Sequence, residues 1–319
     1  MSLTLCVTTP EGIVLAADSR QTYTNVTGTN RIGSDSAIKI FQVKDRIGIT
    51  VAGPAFLPDP DNPKGHKIGI GSVVQDFINE KLSKVESVQT VTQKLRDHLE
   101  TIYKPDERFT EVKSELEKRV KLIGGKLIKI DPVENNAGAI ALFTDLEGKP
   151  GKAVGLIQPI IVMVAGYDEE KSGKPGLNAY LVYIPGPTDH KRKAGDPNQY
   201  GAAWAGQTDV VQRVVLGFDT RMYDLDILQA AMEKLGEQKV KNSLGAMEYV
   251  INWGAMTLFD AIDFSKLMIK TTTAIQRFSD GIKMFPGSTP GVGGHIDIAV
   301  ILPKEGFRWH QKKDLQLNQ

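Results

Sequence analysis

Two stretches, TPEGIVLAADSR at 9–20 and AIKIFQVKDRIGITVAG at 37–53, decide how this chain folds. In the first, the turn Pro10-Glu11-Gly12 separates LTLCVTT at 3–9 from GIVLAAD at 12–18, two β-branched or apolar runs at hairpin spacing. In the second, Lys44-Asp45 joins the apolar runs AIKIFQV and RIGITVAG. The chain is therefore expected to open with four short strands in hairpins. A polar loop at 21–36, rich in Thr, Asn, Gly and Ser, separates the two pairs.

Outward from these stretches the periodicity changes repeatedly. A Pro-rich stretch at 54–71 ends the strands, after which 72–82, 87–103 and 108–123 show apolar residues at i, i+3, i+4 spacing and predict helices. Strand patterns return at 137–145, 157–168 and 177–186, with Gly- and Lys-rich turns between them. Helical patterns follow at 210–218, 225–236 and 245–278, and strands close the chain at 295–303 and 307–311. The order of strands, helices, strands, helices, strands argues for antiparallel sheets sandwiched by helix layers, an α+β class. No low-complexity linker or repeat of about 20–50 residues divides it, so one large domain is expected, with 54–71, 170–176 and 283–294 as excursions.

Composition limits the chemistry. Across 319 residues, 39 Lys and Arg face 38 Asp and Glu, leaving no global basic excess for nucleic acid. The longest apolar run, 153–167, contains Gln158 and Pro159 and falls short of the roughly 20 residues of a membrane-spanning helix. The N-terminus has no basic start and no long apolar stretch, so no export signal and a cytoplasmic location are expected. Cys6 is the single cysteine, which excludes internal disulfides and Cys-based zinc sites and suits a reducing compartment. The chemistry must then come from Ser, Thr, Lys, acids or five scattered histidines.

The N-terminus supplies such a set. Ser2 is small enough that removal of Met1 is expected, which leaves a hydroxyl and a free α-amine on one residue. An α-amine has a reference pKa of about 7.7–8.0, so near neutral pH it can take the proton of its own hydroxyl. Asp18 ends the second strand and Lys39 lies within the third, so neighbouring strands can bring Ser2, Asp18 and Lys39 to one end of a sheet. A lysine cation favours the deprotonated hydroxyl, and an aspartate holds that lysine charged and oriented. At the end of the fourth strand, Gly53 of Ala52-Gly53 can aim its backbone N–H at a developing oxyanion.

These residues carry a family resemblance. TPEGIVLAADSR followed by AIKIFQVKDRIGITVAG resembles the opening of proteasome β-type subunits and their bacterial relatives, a family of N-terminal nucleophile hydrolases. In that family the nucleophile starts the mature chain, an Asp stands sixteen residues on, and a Lys sits in a K-[IL]-[FY] element six residues before a recurring Asp. Here Asp18 stands sixteen residues after Ser2, Lys39-Ile40-Phe41 lies six residues before Asp45, and Gly53 follows Lys39 by fourteen. Thr4, Thr8 and Thr9 break that register. The interval from Asp18 to Lys39 is longer than is usual, with the excess in the polar loop. An N-terminal helix of the α-type subunits has no room before the first strand.

The resemblance implies a four-layer αββα sandwich with inserted helices and loops, covering 2–319, with insertions near 84–135, 168–196 and 283–292. It implies hydrolysis of peptide or other amide bonds without metal or cofactor, a peptide or protein substrate, and a homo-oligomeric ring or spiral; an ATPase partner is not specified. It also matches Gly206 in YGAAWAGQTD at 200–209 to a conserved turn glycine, with Gln207 or Thr208 where a supporting Ser is often found. Asp280 in FSDGIK matches an acid near the nucleophile, and Val51 would line the pocket for a small to medium apolar side chain. Two other readings stay open: a catalytically silent assembly subunit of the same fold, and a small-molecule amidase.

Other motifs are weaker. Gly69-Ile70-Gly71-Ser72 lacks the third glycine and flanking strand of a phosphate cradle and reads as a loop. Asp59 and Asp61 lack the spacing of a calcium loop, and His66, His98, His190, His295 and His310 show no metal-binding spacing. His190-Lys191-Arg192-Lys193 reads as a solvated basic loop, and the sequon Asn25-Val26-Thr27 has no meaning without export.

Overall fold

Both opening hairpins form, and the rest of the chain is built around them. A computed structural model describes residues 2–24, 30–59, 67–82, 86–134, 137–169, 175–282, 285–286 and 290–313; the sequon at 25–27, Asp61, His66 and positions 283, 284 and 287–289 lie outside the described residues. Leu3–Thr8 forms β1 and Ile13–Asp18 forms β2; a small ribbon, β3 (Gln21–Thr24) with β4 (Asn30–Ser34), precedes β5 (Ile40–Val43) and β6 (Ile47–Ala52). A second ribbon, β7 (Phe56–Pro58) with β8 (Lys67–Gly69), runs directly into α1 (Ile70–Lys81), followed by α2 (Val88–Tyr103) and α3 (Pro105–Leu122). Seven strands come next: β9 (Lys126–Pro132), β10 (Gly138–Thr144), β11 (Pro150–Leu156), β12 (Ile160–Glu169), β13 (Pro175–Ile184), β14 (Thr188–Lys193) and β15 (Gly201–Gly206). Helices α4 (Asp209–Val215), α5 (Asp226–Leu235), α6 (Glu237–Gly245) and α7 (Leu258–Phe278) follow. The short pair β16 (Gly281–Ile282) and β17 (Phe285–Pro286) precedes β18 (Ile296–Leu302) and β19 (Gly306–Gln311).

Two five-stranded antiparallel sheets dominate, with strand orders β15-β1-β2-β18-β19 and β14-β13-β12-β6-β5. Strand periodicity assigns their faces. Cys6, Leu15, Ala17, Ala299 and Ile301 of the first sheet meet Met163, Ala165 and Leu181 of the second in a buried inter-sheet core. The alternate residues Leu5, Val14, Ala16 and Val300 face outward onto Val211 and Val215 of α4 and Ile262, Met268 and Ile269 of α7. On the outer face of the second sheet, Ile49, Val51, Val162 and Val182 pack on Val74 and Phe77 of α1 and on Val91, Leu95 and Leu99 of α2. The layers are therefore helix, sheet, sheet, helix. Each fully buried Leu, Ile or Val contributes on the order of 1.5–3 kcal/mol, which makes this two-sided burial the main force holding the sheets together.

The stretch 84–135, expected as an insertion, contains two different things. Helix α2 belongs to the outer layer, whereas α3 packs Leu116 and Val120 on Ala139, Ala141 and Phe143 of the three-stranded sheet β11-β10-β9, a small unit with its own core. Several local expectations are corrected. The polar loop at 21–36 holds the ribbon β3–β4, and Lys39 stands immediately before β5 rather than within it, although its carbonyl still accepts from the Val51 N–H at 3.0 Å. His190–Lys193 is not a loop but part of edge strand β14, a position that tolerates charge. Gly69 ends strand β8 and Ile70 starts α1. Of the predicted helix at 245–278, only Leu258–Phe278 forms a long α-helix, opened by a capping box of Thr257 and Asp260; before it stand the end of α6 and a single 3-10 turn at Trp253–Ala255. Among the described residues no helix is long and apolar enough to cross a membrane.

Candidate active site

Asp18 organises the centre of the site. The β1–β2 register pairs Thr4 with Ala17, which sets Asp18 beside the start of β1, and the Leu3 N–H donates to Asp18 Oδ1 at 2.9 Å. The Lys39 ammonium donates to the same oxygen at 2.7 Å. Oδ2 accepts from the Arg20 N–H at 3.0 Å and from the Gly293 N–H at 2.9 Å, the latter from the loop entering β18. A carboxylate accepts bonds only, and this one has two donors on each oxygen, so a buried anion replaces the water it has lost.

Lys39 is its counter-ion. The side chains of Lys39 and Asp18 are 8% and 0% exposed, and Lys39 Nζ also donates to the Arg20 carbonyl at 2.6 Å. Burial pushes the Lys39 ammonium below the usual lysine range; Asp18 and Asp35 pull it back up, and Lys313 adds to the depression. Arg20 itself turns outward in a bidentate pair with Asp35, at 2.7 and 2.9 Å.

Ser2 and Lys39 share the wall of one cavity of about 370 Å³ with Val51 and Gly53. Gly53 has φ +122°, and a Cβ on it would lie 2.4 Å from the Pro159 carbonyl oxygen, so only glycine fits there. The remaining wall is mostly apolar, with Ile38, Phe41, Ala55 and Ile70 beside the polar Gln21, Ser72 and Gln75. Gly69, Ile70, Gly71 and Ser72, where β8 meets α1, thus border this cavity, with Ser2 rather than a phosphate cradle as their neighbour.

Gly206 fixes the backbone of Ser2. It stands opposite Leu3 across β1–β15 with φ +97°, and the next residue, Gln207, donates its N–H to the Ser2 carbonyl at 2.7 Å. Gln276 of α7 donates to Gln207 Oε1 at 2.8 Å and accepts from the Val292 N–H at 2.9 Å. That chain of amides links the Ser2 carbonyl to the loop carrying Gly293. Ser2, Asp18, Lys39, Val51, Gly53 and Gly206 are therefore brought together, while Asp280 follows α7 on the exposed surface and is not part of the cavity wall. Gly293, Gln276 and Lys313 went unread because a backbone donor, a neutral amide and a distant lysine leave no local pattern. Among the described residues no three His, Cys, Asp or Glu side chains gather where they could hold a metal ion.

No protein-family model and no curated protein matches this chain. Among solved structures it is similar to the Gly-1 mutant of Anbu from Hyphomicrobium sp. strain MC1, at 13% identity and a TM-score of 0.47, covering 100% of this chain and 89% of that one.

Proposed function

We propose that this chain is an N-terminal nucleophile hydrolase of the proteasome β-subunit type, cleaving peptide or related amide bonds with the Ser2 hydroxyl after removal of Met1. The observation that carries the reading is the buried Lys39–Asp18 pair, whose lysine lines the same cavity as Ser2 and Gly53. The Ser2 hydroxyl attacks the carbonyl carbon while its own α-amine takes the proton, directly or through water. General base assistance of this kind contributes roughly 10²–10⁴ in rate. Lys39 lowers the cost of forming the alkoxide, and Asp18 keeps Lys39 charged and aimed. The Gly53 N–H stabilises the oxyanion, a contribution of about 2.7–4 kcal/mol for one such donor. The α-amine returns its proton to the leaving amine, and water then hydrolyses the ester on Ser2. Val51 and its apolar neighbours receive an uncharged substrate side chain. The protein works as a homo-oligomer in a reducing compartment.

The test is direct. Intact mass should show loss of Met1, and a β-lactone should acylate Ser2 in the wild type but not in Ser2→Ala or Lys39→Ala. A native chain that retains Met1, or resists acylation at every pH, removes the hydrolase reading and leaves a silent assembly subunit.

A further inference from the structure

Behind the Lys39–Asp18 pair lies a second buried ion pair. The Lys313 side chain, 17% exposed, donates to Asp297, whose own side chain is 4% exposed. The same ammonium donates to Ser19 Oγ at 3.0 Å and to the Ala37 carbonyl at 3.0 Å. A lysine ammonium has three protons, and all three are used. The two other acceptors belong to the segments that carry the site: Ser19 directly follows Asp18, Ala37 precedes Lys39 by two, and the Ala37 N–H donates to the Ser19 carbonyl at 3.0 Å. Lys313 therefore ties the residue that follows Asp18 to the segment that leads into Lys39. Its own backbone is anchored as well, with the Lys313 N–H donating to Asp297 Oδ1 at 2.9 Å.

The buried Asp297 carboxylate calls for a cation rather than a neutral donor. That cation also lies close enough to Lys39 to disfavour its charged form. We infer that Lys313 is a positioning residue for the Asp18–Lys39 pair, holding the two segments in register and setting a second positive charge behind the site. The inference rests on the proposed hydrolase for its catalytic meaning. Lys39 is faced by Asp18 from β2, by Asp35 from the segment after β4 and by Lys313; Arg20 is bonded outward to Asp35. Lys313 is faced by Asp297 of β18, whose Oδ1 also contacts His295 Nδ1 at 3.2 Å. Burial is the main cause of the depressed proton affinity of Lys39, and repulsion from Lys313 adds to it.

The experiment follows Lys39 itself. Its side-chain titration is recorded by NMR of lysine-labelled full-length protein, assigned with Lys39→Arg. The variants are Lys313→Met, Lys313→Arg and the double variant Lys313→Met with Asp297→Asn, which keeps the test available if an unpaired Asp297 prevents the single variant from folding. In the double variant the Lys39 midpoint should rise, and Lys313→Arg should hold the native value. Because protonated Lys39 is the active form, the alkaline limb of Ser2 acylation by a β-lactone should move up with it. An unchanged Lys39 midpoint in a folded double variant overturns the inference. A shifted midpoint in a protein that no β-lactone acylates supports the placement of Lys313 and sinks only the hydrolase reading. Acylation with an unmoved alkaline limb sinks the role of Lys313 and spares the hydrolase.

Discussion

Gly206 faces Ser2 so closely that a Cβ on it would fall 1.9 Å from the Ser2 carbonyl oxygen, and its φ of +97° is one that L side chains rarely adopt. The first residue of the candidate site is thus seated by the far end of β15, with the Gln207 N–H closing the contact at 2.7 Å. Gly206→Ala should destabilise the fold by about 2–3 kcal/mol and cut Ser2 acylation at least roughly tenfold, because strain and displacement of Ser2 act together. Gly148→Ala is the control: φ is +80° there too, but nothing lies within 4 Å of the added carbon, so only about 1 kcal/mol should be lost. Urea unfolding of the two variants makes the comparison.

Asp18→Asn keeps the shape of the side chain but presents an NH₂ where two donors converge and leaves the Lys39 ammonium without its counter-ion. Stability should fall by about 3–5 kcal/mol. Adding Lys39→Met should restore much of that loss, since the unpaired charge is then gone. Denaturant titration of the single and double variants reads the coupling, and additive losses would sink this account of the pair.

The depressed proton affinity of Lys39 has a defined pH signature. The unfolded chain binds this proton more tightly than the folded one, so between the folded pKa and the ordinary value of 10.5 the unfolded state carries more protons and stability rises with pH. The contribution is fully present above the ordinary value and is lost as pH falls through the folded one. Unfolding free energies of the wild type and of Lys39→Met, compared across the alkaline range, should show the wild type gaining on the variant as pH increases.

Cys6 lies between the two sheets, and burial pushes its thiol up to about 12. A thiol reagent should therefore modify native protein at least roughly a hundredfold more slowly than unfolded protein at mildly alkaline pH, with a rate that follows global opening. Rapid labelling of the native state would contradict the packing described for the inter-sheet core.

Gly71 borders the cavity, and a Cβ there would sit 3.3 Å from the Ile38 carbonyl oxygen and 3.6 Å from Phe41 Cζ. Gly71→Leu should fill part of the space. Acylation by a probe with a bulky apolar group should slow by roughly 10–200-fold, while a probe with a small acyl group keeps its rate. Equal losses with both probes would assign the cavity no part in selectivity.

Periodicity made most of the fold readable, because Leu5, Val14 and Ile49 alternate with inter-sheet residues and Val91, Leu95 and Leu99 recur at helical spacing. Where burial does not impose a period, the pattern was silent. The ribbon β3–β4 is polar and largely exposed, and β14 carries Asp189, His190, Lys191 and Arg192 on a sheet edge. The site divides the same way. Ser2, Asp18, Lys39 and Gly53 fall within one short register at the start of the chain, so their spacing was informative. Asp280 was matched through a motif that runs into residues outside the described set, and the group that does reach Asp18 from that region is the Gly293 N–H. Backbone donors have no residue identity to read.

The order of strands in the first sheet, β15-β1-β2-β18-β19, has a consequence for biosynthesis. The hairpin carrying Ser2 and Asp18 is made long before its flanking strand β18 and the Gly293 N–H. At a typical elongation rate of about 5–20 residues per second, roughly 15–60 s separate the two. During that interval a nascent chain has its hydroxyl but lacks the partners that orient it. The donors that hold Asp18 are therefore complete only once synthesis has passed Gly293.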